Sequence, residues 1–287
     1  MSREGILLLG GKGFIGSALA SRLQHEKIPV HLVGRQDGDR LADVLPLCNT
    51  VVHLASATTP GSSARDPRLE LGNLDLTLRL LKLIQMQPPT HLVFISSGGA
   101  IYGNPDQLPV TETCKIAPLS HYGAGKAAQE VFCQSLRAQG HAVTILRPSN
   151  AYGPGQTLRH GFGLIRTMLE HARVGKPLEI WGDGENVRDY IYIDDVVDAC
   201  MQLVALPGDS STYNLGSSVG HSINQVKTLV DEVCGCRLET VYRPARGTDV
   251  REVVLDGSRL QDQLGWLASV GLAGGVKRTW EWLMRQP

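Results

Sequence analysis

Residues 7–19, LLLGGKGFIGSAL, limit what this chain can fold into more than any other stretch. The apolar run GILLLG (5–10) reads as a buried strand, and residues 14–26 read as a helix with Ile15, Leu19 and Leu23 on one face. Gly10, Gly13 and Gly16 fall at the junction. A helix start offers unpaired N–H groups and partial positive charge, so it attracts a diphosphate. Glycines let the turn close and let the phosphates approach the backbone without a Cβ in the way. Gly10, Gly13, Phe14, Ile15 and Gly16 are therefore expected to bind a dinucleotide. The strand–turn–helix context gives the glycines this meaning, since a bare glycine pattern has little.

The next 130 residues repeat the alternation. VHLV (30–33), TVVHLA (50–55), HLVFIS (91–96) and AVTILRP (142–148) read as strands, with long helical patterns at 68–87 and 124–140. Strands that are apolar throughout, separated by helices, predict a parallel sheet covered on both faces. After Pro148 the texture changes to SNAYGPGQTLRHGFG, rich in glycine and polar turn formers. Helices are expected at about 162–174, from Val196, from Ile223 and near 276–285, with strands in PLEIW, RDYIYIDD and STYNLGS. The expected fold is α/β: a Rossmann-type doubly wound parallel sheet with a smaller interleaved C-terminal substrate-binding lobe. The dinucleotide domain is placed at 1–148, with parts of 189–215, and the lobe at 149–188 and 216–287.

Composition removes several function classes. The 28 basic and 28 acidic residues cancel, which gives no general attraction for nucleic acid or a membrane surface. No run of 18 apolar residues occurs, and MSREGILLLGG is too short and wrongly flanked for a signal peptide. The six cysteines are scattered, with only Cys234 and Cys236 close together, so neither a metal site nor a disulfide framework is expected. These features predict a reduced, cytoplasmic protein.

Two further stretches carry chemistry. In SHYGAGK (120–126), Tyr122 and Lys126 stand one helical turn apart. A free phenol, with a pKa near 10, is a poor base at neutral pH. A nearby ammonium and a positively charged nicotinamide ring favour phenolate, which makes the pair a proton shuttle beside a hydride shuttle. The second stretch follows the second strand, where NAD-binding folds place an acid for the adenosine ribose. Here Gly34-Arg35 occupies that place. A small residue followed by arginine suits a 2′-phosphate, which keeps NADP beside NAD as cofactor. Asp37 or Asp39 stands within reach of a ribose instead. About 15 residues separate this strand from VVHLA, so a trimmed adenine edge is expected, with Asp39 or Asp43 substituting for a missing acid.

The G-x-x-G-x-x-G spacing of GGKGFIG resembles the extended branch of the short-chain dehydrogenases/reductases. ILRPSNAYGPGQ (145–156), IWGDGENVRDYIYIDDVVDA (180–199), YNLGSSVGHSI (213–223) and RPARGTDVREVVLDGSRLQDQLGW (243–266) together resemble the NAD-dependent epimerase/dehydratase family, nearly end to end. That resemblance implies a nucleotide-sugar substrate, UDP-linked, held by Asn150, Arg188, Arg246 and Asp249. Two arginines can clamp a diphosphate, and a carboxylate can accept from ribose hydroxyls; a structural Arg188–Asp189 ion pair is the plainer alternative. The cofactor side would comprise Arg35, Leu54, Ala55, Ser56, Ala57, Asn73, Ser96, Tyr122, Lys126 and Pro148, with His53 a packed strand residue. The family's catalytic Ser/Thr position falls on Gly98, so Ser97 is nominated beside Tyr122 and Lys126. A homodimer through helices 68–87 and 122–138 and a part in polysaccharide precursor synthesis are also implied.

The resemblance leaves the reaction open among four readings. First is a 4-epimerase working through a transient 4-keto sugar and a retained cofactor. Second is an NADPH-dependent 4-ketosugar reductase, which Gly34-Arg35 favours. A 4,6-dehydratase ranks lowest, because Gly99 and Ala100 stand where relatives carry an Asp-Glu pair. A non-catalytic dinucleotide sensor is the fourth, since fold does not settle function.

Overall fold

In the computed structural model, β1 (Gly5–Leu9) is buried along its whole length, as a run of apolar residues covered on both faces requires. The structure describes residues 4–287 except 88, 89, 160 and 248, and the side chains of 36, 38 and 39 also lie outside the description. α1 (Phe14–His25) returns the chain so that β2 (Val30–Val33) pairs parallel with β1, from Ile6↔Val30 to Leu9↔Val33. Short 3-10 turns and α2 (Leu41–Val44) lead to β3 (Cys48–His53), which takes the other side of β1. α3 (Pro60–Arg65), α4 (Leu69–Gln85), β4 (His91–Ile95), α5 (Gly98–Ile101), α6 (His121–Ala138) and β5 (Val143–Pro148) follow. With β9 (Thr212–Leu215) the sheet order is β2-β1-β3-β4-β5-β9. The order reverses between β1 and β3, and in open α/β sheets such a switch opens the ligand crevice at the strands' carboxyl ends.

The chain divides into two compact units. The first comprises Met1–Ser97, Ser120–Arg147 and Val196–Tyr213. Its core packs Leu7, Leu9, Val51, Phe94 and Ile145 of the sheet with Leu76, Leu80 and Ile84 of α4 and Cys133 and Leu136 of α6. Each such side chain contributes roughly 1.5–3 kcal/mol on burial.

The second unit comprises Gly98–Leu119, Pro148–Asp195 and Asn214–Pro287. It includes 98–119. Val110 explains this: its N–H reaches Val254 O at 2.7 Å and its carbonyl accepts from Asp256 N at 2.8 Å. β8 (Val187–Tyr192) pairs in parallel with β6 (Asn150–Tyr152) and β12 (Glu252–Val253), and antiparallel with β10 (Gly220–Ser222). β7 (Leu178–Trp181) and β11 (Thr240–Arg243) form a separate parallel pair, and α7 (Leu164–Val174), α9 (Ile223–Cys234) and α11 (Leu272–Leu283) pack together.

Several helices depart from expectation, α2, α3 and α5 lying in stretches read without one. α8 (Ile193–Val204) starts before Val196, directly from β8, with Asp194 and Asp195 in its favourable first turn. α10 (Ser258–Leu264) falls in a stretch read without a helix. α11 starts at Leu272 through Ala273-Gly274-Gly275, a poor helix-forming sequence that hid its first turn. Gly275 is needed there, since a Cβ would run into the Tyr152 hydroxyl.

Candidate active site

The glycine turn is built as its sequence demands. Gly10 has φ +92°, and a Cβ on it would lie 2.6 Å from Ala55 N, so β1 and the end of β3 meet without a side chain between them. Leu54 N donates to Leu9 O at 2.8 Å, locking that approach. Gly13 caps α1 without any side-chain hydrogen bond, and Gly13 N reaches Gly10 O at 2.9 Å. At Gly16 a Cβ would collide with Gly10 O. The first turn of α1, with Phe14 and Ile15 half-buried, thus presents unclaimed N–H groups beside Leu54 and Ala55 at the sheet's switch point. Ser96 Oγ, at the tip of β4, is buried without a hydrogen-bond partner. An uncapped helix start, a side-chain-free cradle and an orphaned buried hydroxyl suit an anionic dinucleotide.

The tip of β2 departs from the simple reading of Gly34-Arg35. Gly34 N donates to Asp37 Oδ2 at 3.2 Å, and a Cβ at residue 34 would lie 2.7 Å from that oxygen. Asp37 therefore folds its carboxylate back into the space that glycine vacates. Arg35 is exposed, as is Asp43 on α2; the Asp39 side chain lies outside the described residues.

Tyr122 and Lys126 lie in the first turns of α6, whose N-cap Ser120 accepts from Gly123 N at 3.1 Å. The Ser97 hydroxyl lies close enough to the Tyr122 phenol to act on its proton affinity, and Lys126 stands one helical turn further along α6. Burial pushes the phenol up to about 12, while Ser97 pulls it down and the charge on Glu70 pushes it up. Lys126 Nζ donates to Ile95 O at 3.0 Å and stands 5.1 Å from the Phe94 ring centroid. Burial pulls this ammonium down to about 8, against the charges of Glu70 and Glu130. Glu130 is itself held by Arg147 of β5, in a buried pair at 2.6 Å.

Behind the pair lies a hydrogen-bonded network in which Thr77 and Gln129 join the Asn73, Ala57 and His53 named from the sequence. Asn73 Oδ1 accepts from Ala57 N at 2.7 Å, and Nδ2 donates to Thr58 Oγ1 at 2.8 Å, fixing the 55–58 segment. Thr77 Oγ1 donates to Asn73 O at 3.0 Å and accepts from Gln129 Nε2 at 2.7 Å. With that hydroxyl proton committed, His53 Nε2, at 2.9 Å, must be the donor to Thr77. Burial, then the charge of Lys126, lowers His53 to about 3, so it is a neutral packed residue and no ligand. The signal that could have found Thr77 and Gln129 is spacing, one turn beyond Asn73 and Lys126 respectively.

In the second unit, Asn150 Nδ2 donates to Asp189 O at 2.9 Å, and a Cβ on Gly99 would lie 3.4 Å from that nitrogen. Asp189 is a structural hub: it accepts from Ser217 N at 2.9 Å, Ser149 Oγ at 3.1 Å and Leu255 N at 3.2 Å. Arg188 binds the carbonyls of Val187, at 2.8 Å, and Val250, and the negative charge of Asp249 acts on it. Arg246 lies over the Trp181 ring at 3.7 Å from its centroid, and Asp249 N donates to Arg246 O at 3.1 Å. Pro148 ends β5. No cluster of three metal-ligating side chains occurs among the described residues.

A Rossmann-type dinucleotide fold with a buried tyrosine and lysine one helical turn apart is the class these features define. Residues 6–216 match the model of the NAD dependent epimerase/dehydratase family, and the chain belongs to that family. It is 30% identical to a UDP-glucose 4-epimerase of Mycolicibacterium smegmatis, over 96% of this chain and 97% of the relative. A Thermotoga maritima UDP-glucose 4-epimerase solved with UDP-glucose superposes with TM-score 0.91 at 32% identity, covering 98% of this chain and 99% of that one. The Thermus thermophilus UDP-glucose 4-epimerase, solved with NAD, gives TM-score 0.90 at 29% identity, over 98% and 99%.

Proposed function

We propose that the protein is a nucleotide-sugar 4-epimerase that acts on a UDP-hexose and retains NAD. The observation that carries this is the buried Tyr122 one helical turn from the buried Lys126 on α6, with Ser97 acting on the phenol beside Gly98. Bound NAD would accept a hydride from carbon 4 of the sugar and give it back to the opposite face. Tyr122, as phenolate, takes the proton of the 4-hydroxyl as the C4–H bond breaks, and returns it when the keto group is reduced. Ser97 holds that same oxygen, and Lys126 supplies the positive charge that favours phenolate. The phenol's high resting value means that this charge and the cofactor's must act together.

Gly10, Gly13, Phe14, Ile15 and Gly16 would hold the cofactor's diphosphate, with Leu54, Ala55, Ser56, Ala57, Asn73, Ser96 and Pro148 lining its nicotinamide side. Asp37 favours NAD, because a carboxylate at the tip of β2 accepts from a ribose hydroxyl and repels a 2′-phosphate. Asn150, Arg188, Arg246 and Asp249 would hold the sugar nucleotide, the arginines on its diphosphate. Two copies would pair through α4 and α6, where Leu71 and Val131 are 66% and 60% exposed. No helix among the described residues is long and apolar enough to cross a membrane, in keeping with a cytoplasmic site of action.

The test is proton NMR of UDP-glucose, and separately of UDP-N-acetylglucosamine, incubated with purified protein and no added cofactor. The galacto epimer should appear from at least one of them. Conversion that instead requires stoichiometric NADPH would identify a reductase and overturn the epimerase.

A further inference from the structure

The acid–base chemistry has not used one charged group that touches its helix. Glu70, half-buried in the first turn of α4, accepts from Ser63 Oγ and, at 2.9 Å, from Asn73 Nδ2. Its carboxylate lies against Gly125 of α6, where a Cβ would stand 2.5 Å from Oε2 and 2.9 Å from Cδ. Gly125 belongs to the turn of helix that separates Tyr122 from Lys126. Glu70 and Gly125 together line a cavity of about 260 Å³ with Leu71, Leu74 and His121. The same carboxylate therefore ties the cofactor-side Asn73 to the helix that carries the proton shuttle.

We propose that Glu70 is a positioning residue for the Tyr122–Lys126 pair: seated in the space that glycine leaves at 125, it keeps the buried ammonium charged and sets the pH window of catalysis. The groups around the pair single it out. Lys126 is faced by Glu70 from α4, by Glu130 and Cys133 from its own helix, and by His53 from β3. Glu130 also favours the charged ammonium but is paired with Arg147 of β5, and His53 is uncharged. Tyr122 is faced by Ser97 and by Glu70, with His121 in the neighbouring groove. Glu70 opposes proton loss from both Tyr122 and Lys126. Removing its charge eases deprotonation of each, so both limbs of the bell, which belong to the coupled pair, must move the same way.

This inference rests on the epimerase reading, and its test is the pH profile of kcat/KM for wild type, Glu70→Gln and Gly125→Ala. In Glu70→Gln the whole bell should move to lower pH by about half a unit, the scale of a partly screened charge near its target. Gly125→Ala keeps the helix, alanine being the better helix former, and pushes the flexible carboxylate aside. Its bell should move the same way by less. A merely structural Glu70 would lower the bell without moving it. Active wild type with unmoved bells in both variants overturns the role of Glu70 alone. Wild type that turns over no UDP-sugar overturns the functional reading and this inference with it.

Discussion

The two units prepare their functional residues in opposite ways. In the first, Tyr122, Lys126, Asn73 and Thr77 are held by partners on α4, α6, β3 and β4, most of them buried, and burial shifts the phenol and the ammonium in opposite directions. In the second, Arg188 rests on the backbone carbonyls of Val187, Val250 and Arg251, and Arg246 on the face of Trp181. A proton must be exchanged at a fixed geometry and a tuned affinity, which needs a rigid interior. A diphosphate needs only charge brought to it, and anchored arms suffice. Changes in the first unit should therefore act on kcat, and changes in the second on KM.

The largest effect tests the first half of that contrast. Tyr122→Phe should lower kcat by about 10³-fold, within the range for loss of a general base, while the protein still co-purifies with its dinucleotide. Residual turnover near wild type would remove the phenol from the chemistry. Arg246→Ala tests the other half. Loss of a charge-assisted hydrogen bond is worth about 1.5–3 kcal/mol, so steady-state kinetics should show KM for the sugar nucleotide raised about 10- to 100-fold, with kcat little changed. An equal fall in kcat would break the comparison, since Arg246 would then act in the transition state.

Asp37→Asn sharpens the description of the cofactor side. Measured by titration of cofactor-free protein, the ratio of NADP to NAD affinity should rise about tenfold, as expected when a repelling carboxylate beside a phosphate is neutralised. An unchanged ratio would return the selectivity to Arg35. The smallest effect concerns stability. His53, near 3 in the fold and near 6.5 when unfolded, binds its proton preferentially in the unfolded chain between those values. Stability is then lost as pH falls through that window, by about 1.4 kcal/mol per unit below 6.5. Urea unfolding at pH 7.5 and 5.5 should show this loss, and His53→Asn should reduce it.

How much of this was legible in the sequence follows from the range of the interactions. The glycine turn was legible because its chemistry is local: Gly10, Gly13 and Gly16 solve a steric problem within one strand and one helix. The sheet was legible because β1, β3 and β4 are apolar on both faces. Tyr122 and Lys126 were legible as one helical turn. Ser97 was nominated as the neighbour of Gly98, and the fold sets it near the Tyr122 phenol. Glu70 was not legible, because it acquires meaning only when α4 packs on α6, and Gly125 looks like any helix glycine until Glu70 is seen against it. Asp37 lies between these cases: it was a candidate in a short loop, and only the turn at Gly34 shows its carboxylate at the strand tip.

The central claim is that carbon 4 gives up a hydride and recovers it, while Tyr122 handles only the hydroxyl proton. Incubating UDP-[4-²H]glucose with the protein in ordinary water and locating the deuterium by NMR tests this most directly. The account predicts a galacto epimer that keeps its deuterium at carbon 4. Product carrying hydrogen from solvent at that carbon would contradict it, because the C4–H bond would then have been broken by proton removal.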